Sequence, residues 1–298
     1  MGKIFVSGLV NIETSLKVNE FPIEYSPIEY PFFGVSHSVS GVGYNVAKAL
    51  TALGDKVDLF SIFGNDDYSS VIYSELKRDK INYKSAMKDE SFKTPESIVL
   101  IDKSGNRKIY CDLKNLQDRA VFNESVNLLN YSVLVITNIN YNRNILKTAK
   151  ESGVLIASDV HVLTDLDDNY NHDFMANSDI LFLSNEGVIG YEGEFIKSLY
   201  NKYHNKIIVI GCGDEGALAY VGDDDKYYYE PAIAPYGVVN TVGAGDALFS
   251  CFIHFYDKFK DVQLSLKAAV LFAGIKISVS GGGNGFVSET ELLNLLEK

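Results

Sequence analysis

Short apolar runs alternate with helical patterns through the second half of the chain. Each run has three or four residues and is rich in Val, Ile and Leu, which is typical of buried strands. The runs are Val133–Ile136, Val154–Ile156, Ile180–Leu183 and Ile207–Ile210, and the helical patterns between them are Asn142–Glu151 and Glu194–Tyr203. Because strands that alternate with helices form parallel sheets covered on both faces, the sequence predicts an α/β fold with a mostly parallel sheet.

Two extended segments interrupt this pattern in the first half of the chain. The segment at about 14–38 carries five aromatic residues and three prolines, and the segment at about 92–112 contains a hairpin pattern around Ser104 and Gly105. We expect the two segments to pair into a small sheet that covers a site on the main sheet as a lid. The alternative is a decorated sheet edge. We expect a single domain over residues 1–298, and a homodimer formed through the edges of the lid.

Composition limits the partners that the chain can bind. The formal net charge is −12 at pH 7, so the basic face that a nucleic-acid backbone requires is not expected. No apolar run has the length of a membrane span, and the first residues have the pattern of a strand rather than a signal peptide. The three cysteines form no metal or disulfide pattern. We therefore expect a cytoplasmic protein that binds small molecules, with no nucleic-acid or membrane partner.

The stretch Val238–Tyr256 places one carboxylate, Asp246, between Gly243-Ala244-Gly245 and a helical pattern that is apolar on nearly all sides. A helix of this kind is buried. Gly and Asp are ordinary residues at a helix start, so a purely structural cap is one interpretation. The other is an anion site, because three small residues leave the free N–H groups and the positive end of the helix dipole open. In that case Asp246 would accept a proton from a hydroxyl that attacks a phosphoryl group.

The run Gly211–Gly216, GCGDEG, matches the G-x-G-x-x-G spacing of dinucleotide-binding loops. That spacing indicates such a loop only where a helix follows directly. Here two strand patterns follow instead, Ala217–Val221 and Lys226–Glu230. We therefore do not expect a Rossmann site, although a position near the sugar or base of a nucleotide stays open for these glycines. The chain also has no Walker A pattern, so Gly243–Asp246 is the best candidate phosphate site.

Two segments together resemble the signatures of one enzyme family. Ser40–Asp66 is similar to the N-terminal signature of the ribokinase-like (PfkB-type) carbohydrate kinases, and NTVGAGDALFSCFIHFY, from Asn240, is similar to their C-terminal signature D-T-x-G-A-G-D. The likeness covers essentially the whole chain. It implies a doubly wound, mostly parallel α/β sheet with helices on both faces and a small β lid. It also implies transfer of the γ-phosphoryl group of ATP to a hydroxyl of a sugar or nucleoside, with Mg²⁺ as cofactor.

The resemblance implies roles for individual residues. Asp246 would be the general base, and the N–H groups of Gly243, Ala244 and Gly245 would form the anion hole. The implied substrate-binding positions are Asn11, Glu13, Gly41, Gly43 and Asn45. The nucleotide-binding candidates are Asn185, Gly211 and Gly274, together with the loop glycines Gly213 and Gly216.

Several positions depart from the family pattern. Asn240 stands where the family usually has an Asp that helps to hold a monovalent cation, so Asn240 is retained as a candidate ligand while activation by K⁺ stays open. Asn185 matches the first residue of an N-x-x-E motif tied to Mg²⁺, but Val188 occupies the acid position, and whether Glu186 replaces that acid stays open. Asp159 matches a frequent acid of the family and is followed by His161 where Asn is usual.

Four functions stay open on the sequence alone. A sugar kinase is the first hypothesis, because Asn11, Glu13 and Asn45 suit the hydroxyl groups of a sugar. The string G-V-G-Y-N also resembles pseudouridine kinases, which keeps a nucleoside kinase as the second hypothesis. A nucleoside would need a flat apolar face for its base, and the candidates for that face are Phe32, Phe33 and Tyr44. The remaining alternatives are a sugar- or nucleotide-binding protein without catalysis and an unrelated α/β enzyme.

Overall fold

The computed structural model describes residues 2–83, 87–118 and 126–297. The strands in these ranges are β1 Lys3–Ser7, β2 Asn11–Lys17, β3 Val35–Ser40, β4 Lys56–Phe60, β5 Ile62–Gly64, β6 Met87–Asp89, β7 Glu96–Ile101, β8 Arg107–Asp112, β9 Val133–Ile136, β10 Leu155–Val162, β11 Ile180–Ser184, β12 Ile207–Gly211, β13 Gly216–Val221 and β14 Lys226–Pro231. The helices are α1 Val42–Leu53, α2 Asp67–Arg78, α3 Arg143–Ser152, α4 His172–Asn177, α5 Glu192–Tyr203, α6 Ala244–Phe259, α7 Val262–Lys276 and α8 Glu289–Leu296.

The main sheet contains eight of the described strands in the order β14-β13-β12-β11-β10-β9-β1-β4. The strands from β12 to β4 are parallel, whereas β13 and β14 are antiparallel to their neighbours. The order grows outward from β1 on both sides, as in doubly wound sheets. The apolar runs of the sequence form β9 to β12, so the predicted α/β, mostly parallel fold is confirmed. Outside this sheet, β5 and β6 form a separate parallel pair.

Helices cover both faces of the main sheet, and the sheet separates the apolar core into two clusters. One cluster includes side chains of α1, α6 and α7, and the other includes side chains of α3, α4 and α5. Helix α6 lies on the sheet, because the ring of Phe182 on β11 meets the rings of Phe249 and Phe252 at centroid distances of 4.9 and 5.3 Å. Helices α1 and α7 pack on its other sides, which explains the apolar pattern of α6. None of the helices in the described part of the chain has the length and apolarity to cross a membrane.

A second sheet of four described strands has the order β3-β2-β7-β8. Strands β2 and β7 are parallel, and β3 and β8 pair antiparallel on either side of them. The two extended segments of the sequence supply these strands, although β2 already begins at Asn11 and β3 ends at Ser40. Residues 18–34, between β2 and β3, contain no strand, and Phe33 in this connection is fully exposed. The extended segments therefore pair with each other, as expected, rather than with the main sheet.

The start of α1 lies directly against the end of β1. A Cβ added to Gly43 would come within 2.4 Å of the carbonyl carbon of Gly8, so this approach requires glycine. The contact fixes the first turn of α1 above the carboxyl edge of the sheet. It thereby sets the position of Asn45, which lies in that turn and is buried.

Candidate active site

A cavity of about 260 Å³ lies where three parts of the fold meet. Its walls come from the carboxyl ends of the parallel strands, from the start of α6 and from one face of the second sheet. This edge is where open α/β sheets bind their ligands. The predicted residues that line the cavity are Asn11, Glu13, Gly41, Asn45, Gly243, Gly245 and Asp246. Gly43, which packs against β1, and Ala244 are not part of its lining.

Asp246 lies in the first turn of α6 and is 9% exposed. Its Oδ2 accepts a hydrogen bond from Nδ2 of Asn45 at 2.7 Å. Burial raises the pKa of Asp246 above its ordinary value, while the Asn45 donor and the positive charge of a protonated His161 lower it. The carboxylate of Asp159 acts to raise this pKa, and the ammonium of Lys276 acts to lower it. A raised pKa suits a carboxylate that must accept a proton near neutral pH.

The start of α6 leaves backbone N–H groups open. Gly243 precedes the helix with a positive φ of 79°, and a Cβ added there would meet the carbonyl oxygen of Gly282 at 2.3 Å, so the position requires glycine. In the described part of the chain, the N–H groups of Gly243, Gly245 and Asp246 have no hydrogen-bond partner. Open N–H groups at a helix start bind anions.

One predicted member of the anion hole already has a hydrogen-bond partner within the protein. The N–H of Ala244 donates to the carbonyl oxygen of Thr241 at 3.2 Å, which closes the turn before the helix. This N–H is therefore engaged within the protein and does not face the cavity. Gly245, in contrast, is exposed, and a Cβ added there would meet no atom within 4 Å. The open N–H groups at this helix start are those of Gly243, Gly245 and Asp246.

The substrate positions on the second sheet form a polar wall of the cavity. Glu13 on β2 is buried, and its Oε2 accepts a hydrogen bond from Oγ of Ser40 at 3.0 Å. Nδ2 of Asn11 donates to Oγ of Ser97 at 2.9 Å. The Oδ1 atoms of Asn11 and Asn45 are buried and have no partner among the residues that the structure describes. Because a buried acceptor without a partner costs free energy, these atoms are suited to hydroxyl donors of a ligand.

Alternate residues of β8 also line the cavity, namely Arg107, Ile109 and Cys111. This spacing follows from the two-residue period of a strand. Nη1 of Arg107 donates to Oγ1 of Thr241 at 2.8 Å, which links the second sheet to the segment before α6. The sequence analysis identified the hairpin but not these residues. The alternation of these side chains along β8 can be seen in the sequence. Which of the two faces lies towards the cavity depends on how the strands of the sheet pair, and the sequence does not show this.

Asp159 and His161 lie at the end of β10. The N–H of His161 donates to Oδ1 of Asp159 at 2.8 Å, and His161 has a positive φ of 58°. The pairing of β10 with β11 shifts its register between Asp159 and Val162, so the strand is irregular here. Both Asp159 and His161 line the cavity. The sequence analysis singled out this pair without a role, and the fold places it beside Asp246.

Lys276, the last residue of α7, is a fully buried cation that sequence reasoning missed. Its Nζ has no hydrogen-bond partner in the described ranges. Burial lowers the pKa of Lys276 to about 8, although the carboxylates of Asp246 and Glu13 act in the opposite direction. The guanidinium of Arg107 lowers it as well. A Lys at a helix end is usual, so the sequence contains no signal that separates Lys276 from an exposed residue.

On the nucleotide side, Asn185 lies beside an acid that the motif spacing does not predict. Nδ2 of Asn185 donates to Oε1 of Glu192 at 3.1 Å. Val188 is fully buried in the apolar core, and Glu186 is exposed. Burial alone would raise the pKa of Glu192, but hydrogen bonds from Asn185 and from the N–H of Gly190 lower it below its ordinary value. The acid in contact with Asn185 is thus Glu192, seven residues further along the chain.

The nucleotide-side glycines lie outside the lining of the cavity. Gly211 ends β12, on the same carboxyl edge of the sheet, and Gly213 is exposed with open space around an added Cβ. Gly216 is required by packing, because an added Cβ would lie 2.1 Å from the carbonyl oxygen of Glu230. A Cβ on Gly274 would lie 1.7 Å from the carbonyl oxygen of Ile233. The backbone of Ile233 therefore packs closely against Gly274, and a role of Gly274 in nucleotide binding stays a prediction.

Asn240 is buried in the segment before α6, and its Oδ1 accepts a hydrogen bond from the N–H of Val242 at 2.8 Å. This bond shapes the turn that leads to Gly243. Over the described ranges, no group of three or more His, Cys, Asp or Glu side chains is placed to hold a metal ion. The binding of a monovalent cation at Asn240 stays a prediction.

The site combines a buried carboxylate, open N–H groups and a cavity with polar side chains in its lining. A carboxylate with a raised pKa can accept the proton of a bound hydroxyl. The N–H groups at a helix start can stabilise negative charge that develops on the group under attack. The arrangement therefore suits the transfer of an anionic group to a hydroxyl of a small polar ligand.

A model of one protein family matches nearly the whole chain. It describes pfkB family carbohydrate kinases and matches residues 1–289. A deoxyribokinase from Salmonella typhi is 25% identical over 298 aligned residues, which cover 96% of this chain and 95% of that enzyme.

Solved structures share the fold at lower sequence identity. A nucleoside kinase from Methanocaldococcus jannaschii, an archaeal member of the ribokinase family, has a TM-score of 0.81 at 22% identity and covers 100% of this chain and 98% of its own. A ribokinase from Arabidopsis thaliana, complexed with ribose and ATP, has a TM-score of 0.81 at 18% identity and covers 100% of both chains. These comparisons confirm the predicted ribokinase-like α/β fold.

Proposed function

The chain belongs to the pfkB family of carbohydrate kinases and is a phosphotransferase with an alcohol group as acceptor, and from this premise we propose that it transfers the γ-phosphoryl group of ATP to a hydroxyl of a sugar. The observation that carries the proposal is the juxtaposition of the buried Asp246 with the open N–H groups at the start of α6. Phosphoryl transfer needs positioning and charge stabilisation more than covalent chemistry, and this juxtaposition supports both.

In the proposed reaction, the substrate hydroxyl lies against Asp246 and attacks the γ-phosphorus. A bond forms between the hydroxyl oxygen and phosphorus while the bond from phosphorus to the bridging oxygen of ADP breaks. The hydroxyl proton passes to the carboxylate of Asp246. The N–H groups of Gly243 and Gly245, with that of Asp246, bind the oxygens of the transferring group. In comparable sites a positioned base contributes about 10²–10⁴ in rate, and the loss of one N–H donor costs about 10²–10³.

The cavity favours a sugar over a nucleoside. Its volume of about 260 Å³ is below the range of about 300–1,000 Å³ that is usual for ligand pockets. None of its described lining residues is Phe or Tyr, so a nucleobase finds no flat apolar ring there. The candidates for that face lie elsewhere: Phe32 and Phe33 are exposed, and Tyr44 is buried with its hydroxyl bonded to Asp79. The acceptors Asn11 and Glu13, in contrast, suit the adjacent hydroxyls of a sugar ring.

We place the nucleotide along the carboxyl edge of the main sheet. Strands β10, β11 and β12 are neighbours, so their carboxyl ends extend the site from Asp159 towards Asn185 and Gly211. The Arabidopsis ribokinase binds ATP, and ATP at this edge would direct its γ-phosphate to the start of α6. Mg²⁺, when bound, neutralises charge on the phosphates. The carboxylate of Glu192 and the amide oxygen of Asn185 would hold this ion, because they are oxygen ligands of the kind that Mg²⁺ prefers.

A screen for ADP release tests the proposed function. Pentoses, hexoses and nucleosides are each mixed with the protein, ATP and Mg²⁺, and the product is identified by mass spectrometry. We expect ADP and a sugar monophosphate with at least one sugar. ADP release with nucleosides alone would show that the acceptor is a nucleoside and not a sugar. Thermal stabilisation by a sugar, without ADP release from any acceptor, would instead support a protein that binds its ligand without catalysis.

A further inference from the structure

Arg107 carries a charge that has no carboxylate partner among the residues that the structure describes. Of the arginines in the described ranges, Arg78 and Arg143 form ion pairs with carboxylates. Arg107 instead donates one N–H to a neutral group, Oγ1 of Thr241, at 2.8 Å. A guanidinium has five N–H donors and stays protonated in proteins. Most of the donors of Arg107, and its full charge, are therefore available to a ligand.

The bond to Thr241 places this charge at the start of α6. Thr241 lies two residues before Gly243, whose N–H is open, and Arg107 lines the same cavity as Gly245 and Asp246. The positive charge of Arg107 also acts to lower the pKa of Lys276, after the larger effect of burial. Open N–H groups and a free guanidinium on one cavity form a site for an oxyanion such as a phosphate.

The backbone that carries Arg107 is fixed by the hairpin turn before it. Oδ1 of Asp102 accepts hydrogen bonds from the N–H groups of Ser104 and Asn106, both at 2.9 Å. Oδ2 of Asp102 accepts a third, from Nδ2 of Asn106, at 2.9 Å. Because Arg107 follows Asn106 directly, the turn sets its position before a ligand binds. Charge that is positioned in advance is the form of electrostatic stabilisation that accelerates reactions most.

We propose that Arg107 is a further catalytic residue, which binds the oxygens of the γ-phosphoryl group during its transfer. The proposal rests on the kinase function proposed above and adds a role for the second sheet. The guanidinium keeps its protons throughout: the hydroxyl proton passes to Asp246, and the bridging oxygen leaves with ADP. Thr241 holds the guanidinium in place in the absence of the nucleotide.

Steady-state kinetics of matched variants test this role. Arg107→Gln removes the charge, and Lys108→Gln removes the same charge from the next residue, which lies on the outward face of β8 over the ring of Tyr110. With a sugar from the screen, we expect kcat of Arg107→Gln to fall about 10²–10³-fold, with a much smaller change in KM for the sugar. Lys108→Gln is expected to stay within about twofold of wild type, as is usual for a surface charge.

Two further measurements separate catalysis from a structural link. Thr241→Val removes the hydroxyl that accepts the hydrogen bond from Arg107 but keeps the guanidinium, so this variant is expected to retain most of kcat. In calorimetry without a sugar, Arg107→Gln should bind a non-hydrolysable ATP analogue about tenfold more weakly than wild type and bind ADP with unchanged affinity. The reason is that the variant loses its contact with the γ-phosphate, which ADP does not have. Equal losses in Arg107→Gln and Thr241→Val, or wild-type affinity for the analogue, would overturn the assignment. If the wild-type protein binds the analogue through Arg107 but phosphorylates no acceptor, the proposed kinase function is contradicted instead.

Discussion

Asp246 must be ionised before it can accept a proton, and its neighbours decide at which pH this happens. Burial favours the protonated form, whereas the hydrogen bond from Asn45 and the charges of His161 and Lys276 favour the carboxylate. Burial lowers the pKa of Lys276 to about 8, so its ammonium is charged at acidic and neutral pH. At the scale of single residues, we therefore expect the burial of Asp246 and the groups around it to set the pH dependence of the enzyme.

Lys276→Met tests this balance, because it removes the ammonium and keeps a similar volume. The Lys276 charge lowers the pKa of Asp246, so its removal raises that pKa, and the acid limb of the kcat profile should move to higher pH by about 1 unit. A buried charge without a partner opposes folding, so the Tm of the variant is not expected to fall. A pH–rate profile and a thermal melt provide the measurements. An acid limb that stays in place would show that Lys276 does not act on the base.

Residues of the site differ in how far the sequence can predict them. Asp246 and Asn45 belong to two recognisable signatures, and the fold brings them within 2.7 Å. The engaged N–H of Ala244 depends on the geometry of one turn, which residue types alone do not fix. The contact of Asn185 with Glu192 lies outside the three-residue spacing of the family motif, so the motif does not indicate it. Arg107 meets Thr241 across a sequence separation of 134 residues, and no local pattern indicates such a contact.

At the scale of elements, the second sheet supplies one wall of the cavity at the carboxyl edge of the main sheet. Strands β2, β7 and β8 each contribute cavity-lining side chains, and the bond from Arg107 to Thr241 ties β8 to the main body. We propose that this sheet acts as a lid, which excludes water from the transferring phosphoryl group. Strands β9 to β12 were predictable from their apolar runs. The parallel pairing of β2 with β7 was not, because it joins segments far apart in the chain.

Cys111 on β8 provides a direct measurement of lid closure. It is exposed and lines the cavity, whereas Cys212 and Cys251 are buried. Partial enclosure and the charge of Asp112 raise the pKa of the Cys111 thiol, so alkylation should be followed at mildly alkaline pH. We expect saturating sugar and a non-hydrolysable ATP analogue to slow the alkylation of Cys111 at least about tenfold.

The control for this experiment is Cys111→Ser, which should show no rapid alkylation, because the remaining thiols are buried. A rate that does not change when both ligands are bound would argue against closure of the second sheet over the cavity. Alkylation is followed by mass spectrometry of the intact protein.

At the scale of the whole molecule, the two sheets supply different parts of the site. An apolar surface is exposed beside the second sheet. The main sheet supplies the carboxyl edge and α6, and the second sheet supplies the cover. The connection 18–34 presents exposed apolar side chains away from the cavity, among them Tyr25 at 94% and Phe33 at 101% exposure. The free edge of β3 lies next to this connection. Exposed apolar patches and strand edges are characteristic of association surfaces.

We expect a homodimer that forms through the second sheet. Sedimentation velocity should give a species of twice the chain mass, and Phe32→Ser combined with Phe33→Ser should shift it towards the monomer, because the change removes two large apolar contacts. As a matched control, Ile189→Ser changes an exposed apolar residue outside the second sheet and should leave the dimer intact. A wild-type protein that sediments as a monomer at all accessible concentrations would contradict the expectation.

The central claim is that Asp246 takes the proton of the substrate hydroxyl at a helix start that binds the phosphoryl group. The most direct measurement is kcat of Asp246→Asn with the sugar that gives the fastest ADP release, together with its thermal melt. Asp257→Asn, on the same helix but outside the cavity lining, is the matched control. The account predicts a folded Asp246→Asn protein whose kcat is at least about 10²-fold lower, beside a control with near-normal turnover. Near-wild-type turnover by a folded Asp246→Asn variant would contradict it.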